Sequence, residues 1–251
     1  MSLGAVVISG AGSGIGRAMA LELAKEGWQC LLLGRREEAL KETLAALPGN
    51  GHDIACGDVR DRIVMQQIAA GWSGMPIRAL VANAGLGGEN HYGENDRWDE
   101  IISTNLSGTY EFVQAFLPGL KPAPEKPAYI LMTSSVLARL GVAGYTAYCA
   151  SKAGLLGLMR SWAVELAPRN ILVNAICPGW VETDMSREGM EGLAEHLGIS
   201  VEAFHDLAMK SVPLGRMSQP QEIAQLTAYL LKQRSITGQA LDINGGSVMN
   251  S

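Results

Sequence analysis

The sequence predicts an α/β fold: one doubly wound domain on a seven-stranded, mostly parallel sheet with helices on both faces. Three observations predict it. Short apolar runs alternate with longer segments of helical periodicity. The runs show no polar alternation, as expected of strands covered on both sides. A glycine-rich turn leads from the first run straight into a helix.

The elements follow in chain order. Ala5 to Ile8 is the first strand and Ile15 to Glu26 its helix; Leu31 to Leu33 is the second, followed by a helix over Glu37 to Leu47. A third strand ends just before Asp58 and precedes a helix over Asp61 to Ala70. Ala79 to Ala82, Ile130 to Met132 and Ile171 to Ile176 continue the series, separated by helices over Glu100 to Leu117 and Ala147 to Ala167. Pro220, suited to a first helical turn, opens the last helix, and Ala240 to Ile243 is the seventh strand. Strand, helix, strand repeated in this way gives a parallel sheet with right-handed crossovers. Residues 183–213 break the alternation with Met185, Met190, Leu193, Leu197, Phe204 and Leu207 among Glu and His. That segment is expected to be an amphipathic helical insertion, a lid over a pocket, the alternative being a rigid cap. The whole chain, 1–251, is read as one domain.

With 47% hydrophobic and 18% charged residues the composition is globular. A net charge of −5, with scattered Lys and Arg, gives no basic footprint for nucleic acid. No hydrophobic stretch is long enough for a bilayer. Cys30, Cys56, Cys149 and Cys177 form no C-x-x-C pair, so neither a metal site nor a disulfide framework is expected. A cytoplasmic, reducing setting follows as the expectation.

The chemistry begins at the first turn, Ser9 to Gly16. Gly10, Gly14 and Gly16 let the backbone approach a pyrophosphate, while Ser13 and Ile15 stand where the helix N-terminus offers free N–H groups. Nineteen residues after Gly16, where an acidic residue would accept from a ribose 2′-hydroxyl, stand Arg35 and Arg36. Two guanidinium groups suit a 2′-phosphate, so NADP is favoured, with NAD, held through Glu37 or Glu38, as the alternative. Asp58 with Val59 stands where a carboxylate can accept from the adenine amino group, and a structural turn is the rival reading. Asn83, Ala84 and Gly85 follow the fourth strand at the ligand-binding edge, although Asn83 can equally tie neighbouring loops together.

Tyr148 and Lys152, four apart on a helix, share one face. A phenol beside an ammonium is an acid-base device, because the cation favours the phenolate. Ser135, thirteen residues before Tyr148, supplies a hydroxyl, with Ser134 as its rival. Leu137, Tyr145, Trp180 and Met185 are expected to border a mainly apolar substrate pocket, with Arg139 or His91 as candidates for a polar tail.

Taken together, Ser9-Gly10-x-x-x-Gly14-x-Gly16, Asn83-Ala84-Gly85, Asn105, Ser135, Tyr148-x-x-x-Lys152, Pro178-Gly179 with Thr183, and Asp242 to Gly246 resemble the short-chain dehydrogenase/reductase family over nearly the whole chain. Ser9 and Ala82 depart from the family's common Thr and Asn, and Ala138 stands where Gly is frequent. The runs Pro213 to Arg216 and Ile236 to Gln239 look like the 3-oxoacyl-carrier-protein-reductase branch. The resemblance implies a Rossmann domain and hydride transfer between nicotinamide and a carbonyl or secondary alcohol. It casts Tyr148 as general acid or base, with Lys152 lowering its pKa and holding the ribose. Ser135 would position the carbonyl oxygen, Asn105 would anchor a water in a proton relay, and Pro178, Gly179 and Thr183 would line the cofactor. A homotetramer built on the two long helices is also implied. The rivals are an NAD-dependent dehydrogenase of the same family, an enoyl reductase, and a dinucleotide-sensing protein without turnover.

Overall fold

The computed structural model describes residues 3–249. Seven strands form one sheet in the order β3-β2-β1-β4-β5-β6-β7: β1 Ala5–Ser9, β2 Gln29–Gly34, β3 Asp53–Cys56, β4 Ile77–Ala82, β5 Ala128–Thr133, β6 Ile171–Pro178 and β7 Ala240–Ile243. All six pairings are parallel, so the expected "mostly parallel" sheet is wholly so.

Alternation along the strands divides the core in two. Ala5 and Val7 of β1 face one way, toward α3 (Arg62–Gly71), α5 (Gly108–Phe116) and α6 (Thr146–Leu166), whose Met65, Phe112, Phe116, Leu155 and Met159 are buried there. Val6 and Ile8 face the other way, toward α1 (Gly14–Lys25), α2 (Glu37–Ala46) and α9 (Pro220–Leu230), with Met19, Leu23, Leu40 and Ile223 buried. A helix layer on each face is the solution that hides both sides of a parallel sheet. β3 is the exception: it is an edge strand whose four residues are exposed or half-buried.

The helix expected over Glu100 to Leu117 is present but interrupted. α4 (Trp98–Ile102) passes through a π-helical turn at Ser103–Ser107 before α5 begins. The insertion expected at 183–213 is two helices, α7 (Asp184–Leu197) and α8 (Val201–Lys210), joined where Gly198 ends α7 in the left-handed region at φ 65°. Met190, Ala194, Phe204, Ala208, Met209 and Val212 give this insertion a small apolar core of its own. Among the described residues no helix is long and apolar enough to cross a membrane.

Strand order reverses between the adjacent strands β1 and β4, so the loops leaving their C-terminal ends diverge and open a crevice. Side chains hold that crevice together. Ser9 Oγ accepts from the backbone N–H of Asn83 at 3.0 Å and of Ala84 at 3.1 Å, and Asn83 Nδ2 donates to the Ser9 and Gly10 carbonyls. Ser9 is 2% exposed, so its hydroxyl satisfies buried donors that water does not reach.

Candidate active site

One cleft of about 280 Å³ runs across the C-terminal ends of β1, β2, β4 and β5. It collects most of the residues expected from the sequence: Gly10, Ser13, Gly14, Ile15, Arg35, Arg36, Asp58, Val59, Asn83, Ala84, Gly85, Ser135, Tyr148, Lys152, Pro178, Gly179, Thr183 and Met185. Gly16 stands beneath it. A Cβ there would lie 2.1 Å from the Gly10 carbonyl oxygen, so the turn closes only around a glycine.

At the cleft's outer end, Arg36 Nη2 donates to Ser13 Oγ at 3.2 Å, and both Arg35 and Arg36 are exposed. Glu37 and Glu38, the alternative ribose ligands, are instead paired with Lys41 at 3.0 and 2.9 Å. Asp58 is gripped by Arg60, Nη2 to Oδ2 at 2.7 Å, and that guanidinium holds its carboxyl below the usual range. Arg60 was not singled out in the sequence; only its place two residues after Asp58 hinted at the pairing.

At the inner end α6 is joined to β5 by two hydrogen bonds. Ser134 Oγ donates to the Lys152 carbonyl at 2.8 Å, and Lys152 Nζ donates to the Thr133 carbonyl at 2.9 Å. Ser134 is therefore a structural link, and Ser135 is the hydroxyl left for the cleft. Ser135 Oγ accepts from the Leu137 N–H at 3.1 Å and lines the cleft with the Tyr148 phenol. Lys152 Nζ lies 5.5 Å from the Tyr148 ring centroid, and a Cβ on Gly85 would stand 3.4 Å from that nitrogen.

The lowering of the Tyr148 phenol expected from Lys152 is opposed by burial. Burial pushes the Tyr148 phenol up, with the Ser135 hydrogen bond opposing, so the group is held protonated. Lys152 is 5% exposed, and burial pulls it down to about 8. Its ammonium is directed at the Thr133 carbonyl rather than at the phenol oxygen. Burial is the largest influence on both groups.

Asn105, in the π-helical turn, is fully buried. Its side chain accepts from the Leu86 N–H at 2.7 Å and donates to the Leu86 carbonyl at 2.9 Å and to Ser151 Oγ at 3.1 Å. These bonds fix the loop after β4 against α6, which gives Asn105 a positioning role. Asn83 likewise ties loops, accepting from Thr133 Oγ1 at 3.2 Å. Thr183 caps α7, accepting from the Ser186 N–H at 3.3 Å, so the helix N-terminus faces the cleft.

Of the expected pocket wall, Met185 lines the cleft, and a Cβ on Gly87 would lie 3.0 Å from its side chain. Tyr145 stacks edge-on to Tyr148 at 6.3 Å, and a Cβ on Gly189 of α7 would meet its hydroxyl at 3.7 Å and Trp180 at 4.0 Å. Those two side chains thus sit under α7, while Leu137 supports Ser135 through its backbone. Arg139 is engaged by Asp242 at 3.2 Å and His91 by Glu89 at 3.0 Å, so neither stands free for a polar tail. Two residues that the sequence did not reveal complete the site. Asn90 accepts from the Ala147 N–H at the start of α6. Thr104 lines the cleft with a buried hydroxyl that has no hydrogen-bond partner among the described residues. A glycine-walled cradle, two exposed guanidinium groups and an orphaned hydroxyl fit an elongated phosphorylated ligand such as a dinucleotide. Among the described residues no group of His, Cys, Asp and Glu could hold a metal ion.

A wholly parallel doubly wound sheet with Ser135, Tyr148 and Lys152 at its crevice defines a dinucleotide-dependent oxidoreductase. Residues 4–193 match the short chain dehydrogenase family, and the chain belongs to it. It is 34% identical over 254 residues to the 3-oxoacyl-acyl-carrier-protein reductase FabG of Thermotoga maritima, covering 97% of each chain. Among solved structures it is similar to a point variant of actinorhodin polyketide ketoreductase with NADPH, at TM-score 0.91 and 33% identity over 97% of this chain and 96% of that one. Levodione reductase superposes at TM-score 0.89 with 26% identity, covering 98% of each.

Burying a lysine whose proton is held less tightly than in the unfolded chain destabilises the fold while the lysine is charged. The unfolded state binds more protons between pH 8 and 10.5, so stability rises with pH across that window. The full effect is about 3 kcal/mol at ~1.4 kcal/mol per unit. Lys152→Met removes it, offset by the lost bond to Thr133. Urea denaturation of the two proteins should show the variant's relative stability falling by about 2 kcal/mol between pH 7 and 10; a difference that is flat or grows with pH would contradict the assignment.

Proposed function

We propose that the protein is an NADP(H)-dependent reductase of ketones, working reversibly on secondary alcohols, with chemistry like that of the 3-oxoacyl reductases it resembles. The observation that carries this reading is the Tyr148 phenol gathered with Ser135 in the cleft, with the buried Lys152 one turn further along α6 and bonded to the end of β5. Gly10, Gly14, Ser13 and the N-terminus of α1 would hold the pyrophosphate, Arg35 and Arg36 would take the adenosine 2′-phosphate, and Pro178, Gly179 and the capped start of α7 would flank the nicotinamide end. When bound, NADPH would supply the hydride that reduces the carbonyl carbon.

The chain's residues do the rest. Ser135, fixed by the Leu137 N–H, keeps its proton to donate toward the carbonyl oxygen and so orients the ketone. Tyr148 gives its phenolic proton to the same oxygen as negative charge develops there, and regains a proton from solvent. A phenol carries its proton at neutral pH, so the group arrives loaded for this direction. Once charge has passed to the phenolate, the nearby Lys152 ammonium stabilises it, and Asn105 keeps the loop and α6 in register. Sensing without turnover would not need this intact set. The setting we propose is cytoplasmic, consistent with four free cysteines, and the partner is a small molecule rather than nucleic acid.

We also propose a homotetramer paired through α4, α5 and α6. Trp98, Tyr110 and Val164 stand 40, 41 and 79% exposed there, with Tyr110 stacked on Trp162 at 5.9 Å.

Three outcomes are expected. Tyr148→Phe should bind NADPH with wild-type affinity by fluorescence titration and lose at least ~100-fold in kcat; near-normal turnover would remove the proton-transfer role. Replacing Arg35 and Arg36 together by Ala should raise KM for NADPH at least ~10-fold and leave NADH little changed, since charge-assisted bonds to the 2′-phosphate are lost; a wild-type preference for NADH would refute the arginine argument. Light scattering on the eluted peak should give four subunits, and a monomer at working concentration would contradict the assembly.

A further inference from the structure

Helix α6, which carries Tyr148 and Lys152, begins without a cap of its own. Its N-cap position is Tyr145, whose side chain makes no capping bond, and the Cys149 N–H donates to the Tyr145 carbonyl at 2.8 Å to close the first turn. The N–H groups ahead of that bond need partners from outside the helix. Ala147 is fully buried, so water does not reach its N–H. The partner is Asn90, whose Oδ1 accepts from Ala147 at 2.8 Å across 57 residues of sequence. Asn90 is 8% exposed, and its own N–H donates to the Gly144 carbonyl at 2.8 Å, so its backbone and side chain both dock on the segment entering α6.

An amide can turn either its oxygen or its nitrogen toward a neighbour, and Asp96 decides which. Asp96 Oδ1 accepts from Asn90 Nδ2 at 3.1 Å and from the Trp98 N–H, at the start of α4, at 3.0 Å. A carboxylate offers acceptors only, so it takes the amide nitrogen and leaves the oxygen for Ala147. Ala147 immediately precedes Tyr148. The helix is thus pinned on both sides of the phenol, at Ala147 by Asn90 and at Lys152 by Thr133 and Ser134.

Resting on the reductase reading above, we infer that Asn90 is a positioning residue for Tyr148: a cap supplied from the loop after β4 and oriented by Asp96, it sets where the phenol meets the substrate carbonyl. Asn90 itself does not line the cleft. Its loss therefore acts on the proton-transfer geometry and spares the cofactor cradle at the other end of the crevice. A misplacement of about 1 Å at a reacting group costs on the order of 100-fold in rate.

The test compares the unaltered chain with Asn90→Ala, with Asn90→Asp, and with the exchange that combines Asn90→Asp and Asp96→Asn. Turnover is read with NADPH and a neutral 3-oxo ester, and NADPH affinity by fluorescence titration. Asn90→Ala should lose at least ~10-fold in kcat with its Kd for NADPH unchanged. Asn90→Asp keeps an acceptor for Ala147 but sets a second carboxylate against Asp96, and it should be impaired as well. The exchange restores a donor between the two positions and should recover kcat to within about 3-fold of the unaltered chain. Hydrogen exchange read by mass spectrometry is independent of turnover: in Asn90→Ala the peptide carrying Ala147 should lose protection at least ~10-fold, and the C-terminal half of α6 should keep its own. Normal kcat in Asn90→Ala, a fall in NADPH affinity that matches the fall in kcat, an exchange variant no better than Asn90→Asp, or unchanged protection at Ala147 would overturn the inference. If Asn90→Ala does not fold, the comparison of Asn90→Asp with the exchange decides. No oxidation of NADPH by the unaltered chain across a panel of ketones would count against the reductase reading itself, and hydrogen exchange would still judge the cap.

Discussion

A buried ammonium on a strand-end carbonyl is the constraint from which the site follows. Lys152 Nζ donates to the Thr133 carbonyl at the end of β5, and the Ser134 hydroxyl returns a bond to the Lys152 carbonyl. These two bonds set the rotation and height of α6 against the sheet. Tyr148, one turn earlier on the same face, is thereby presented to the crevice beside Ser135. Burial works against the charge on Lys152 and against the phenolate of Tyr148 alike. Holding a cation where its proton is less tightly bound, next to a phenol that keeps its own, gives up stability for readiness to act.

The position of that pair follows from topology. Parallel strands whose order reverses between β1 and β4 leave a crevice at their C-terminal ends, and the Ser9, Asn83 and Thr133 side chains bridge the loops that bound it. The cleft has a polarity of its own. Guanidinium groups stand at the β2 end, and Ser135, Tyr148 and Lys152 at the β5 end.

Much of this was legible in the sequence because the signals were strong and local. Runs such as Ile171 to Ile176 must be covered on both faces, and Ser9 to Gly16 must turn tightly before α1, so sheet, crevice and cradle could be read directly. β3 left little trace, because an exposed edge strand needs no apolar run. The break at Ser103–Ser107 carries no Pro or Gly to announce it, and Gly198, which splits the lid, sits in a sequence otherwise helical on both sides. That Ser135, Tyr148 and Lys152 belong to one site could be read from the sequence. Which hydroxyl faces the cleft, and whether cation or burial governs the phenol, depend on packing that spacing does not encode. Asn83, Asn105 and Asn90 were placed by pattern or missed altogether because their hydrogen bonds join segments far apart in the chain.

The central claim is that hydride passes directly between a nicotinamide in this cleft and a carbonyl carbon held by Ser135 and Tyr148. Reduction of a neutral ketone with NADPH deuterated at the transferring C4 position, followed by mass spectrometry of the product, tests it most directly. One deuterium on the carbinol carbon, with none exchanged to water, is the predicted result. An alcohol without label, or label on a neighbouring carbon, would contradict it.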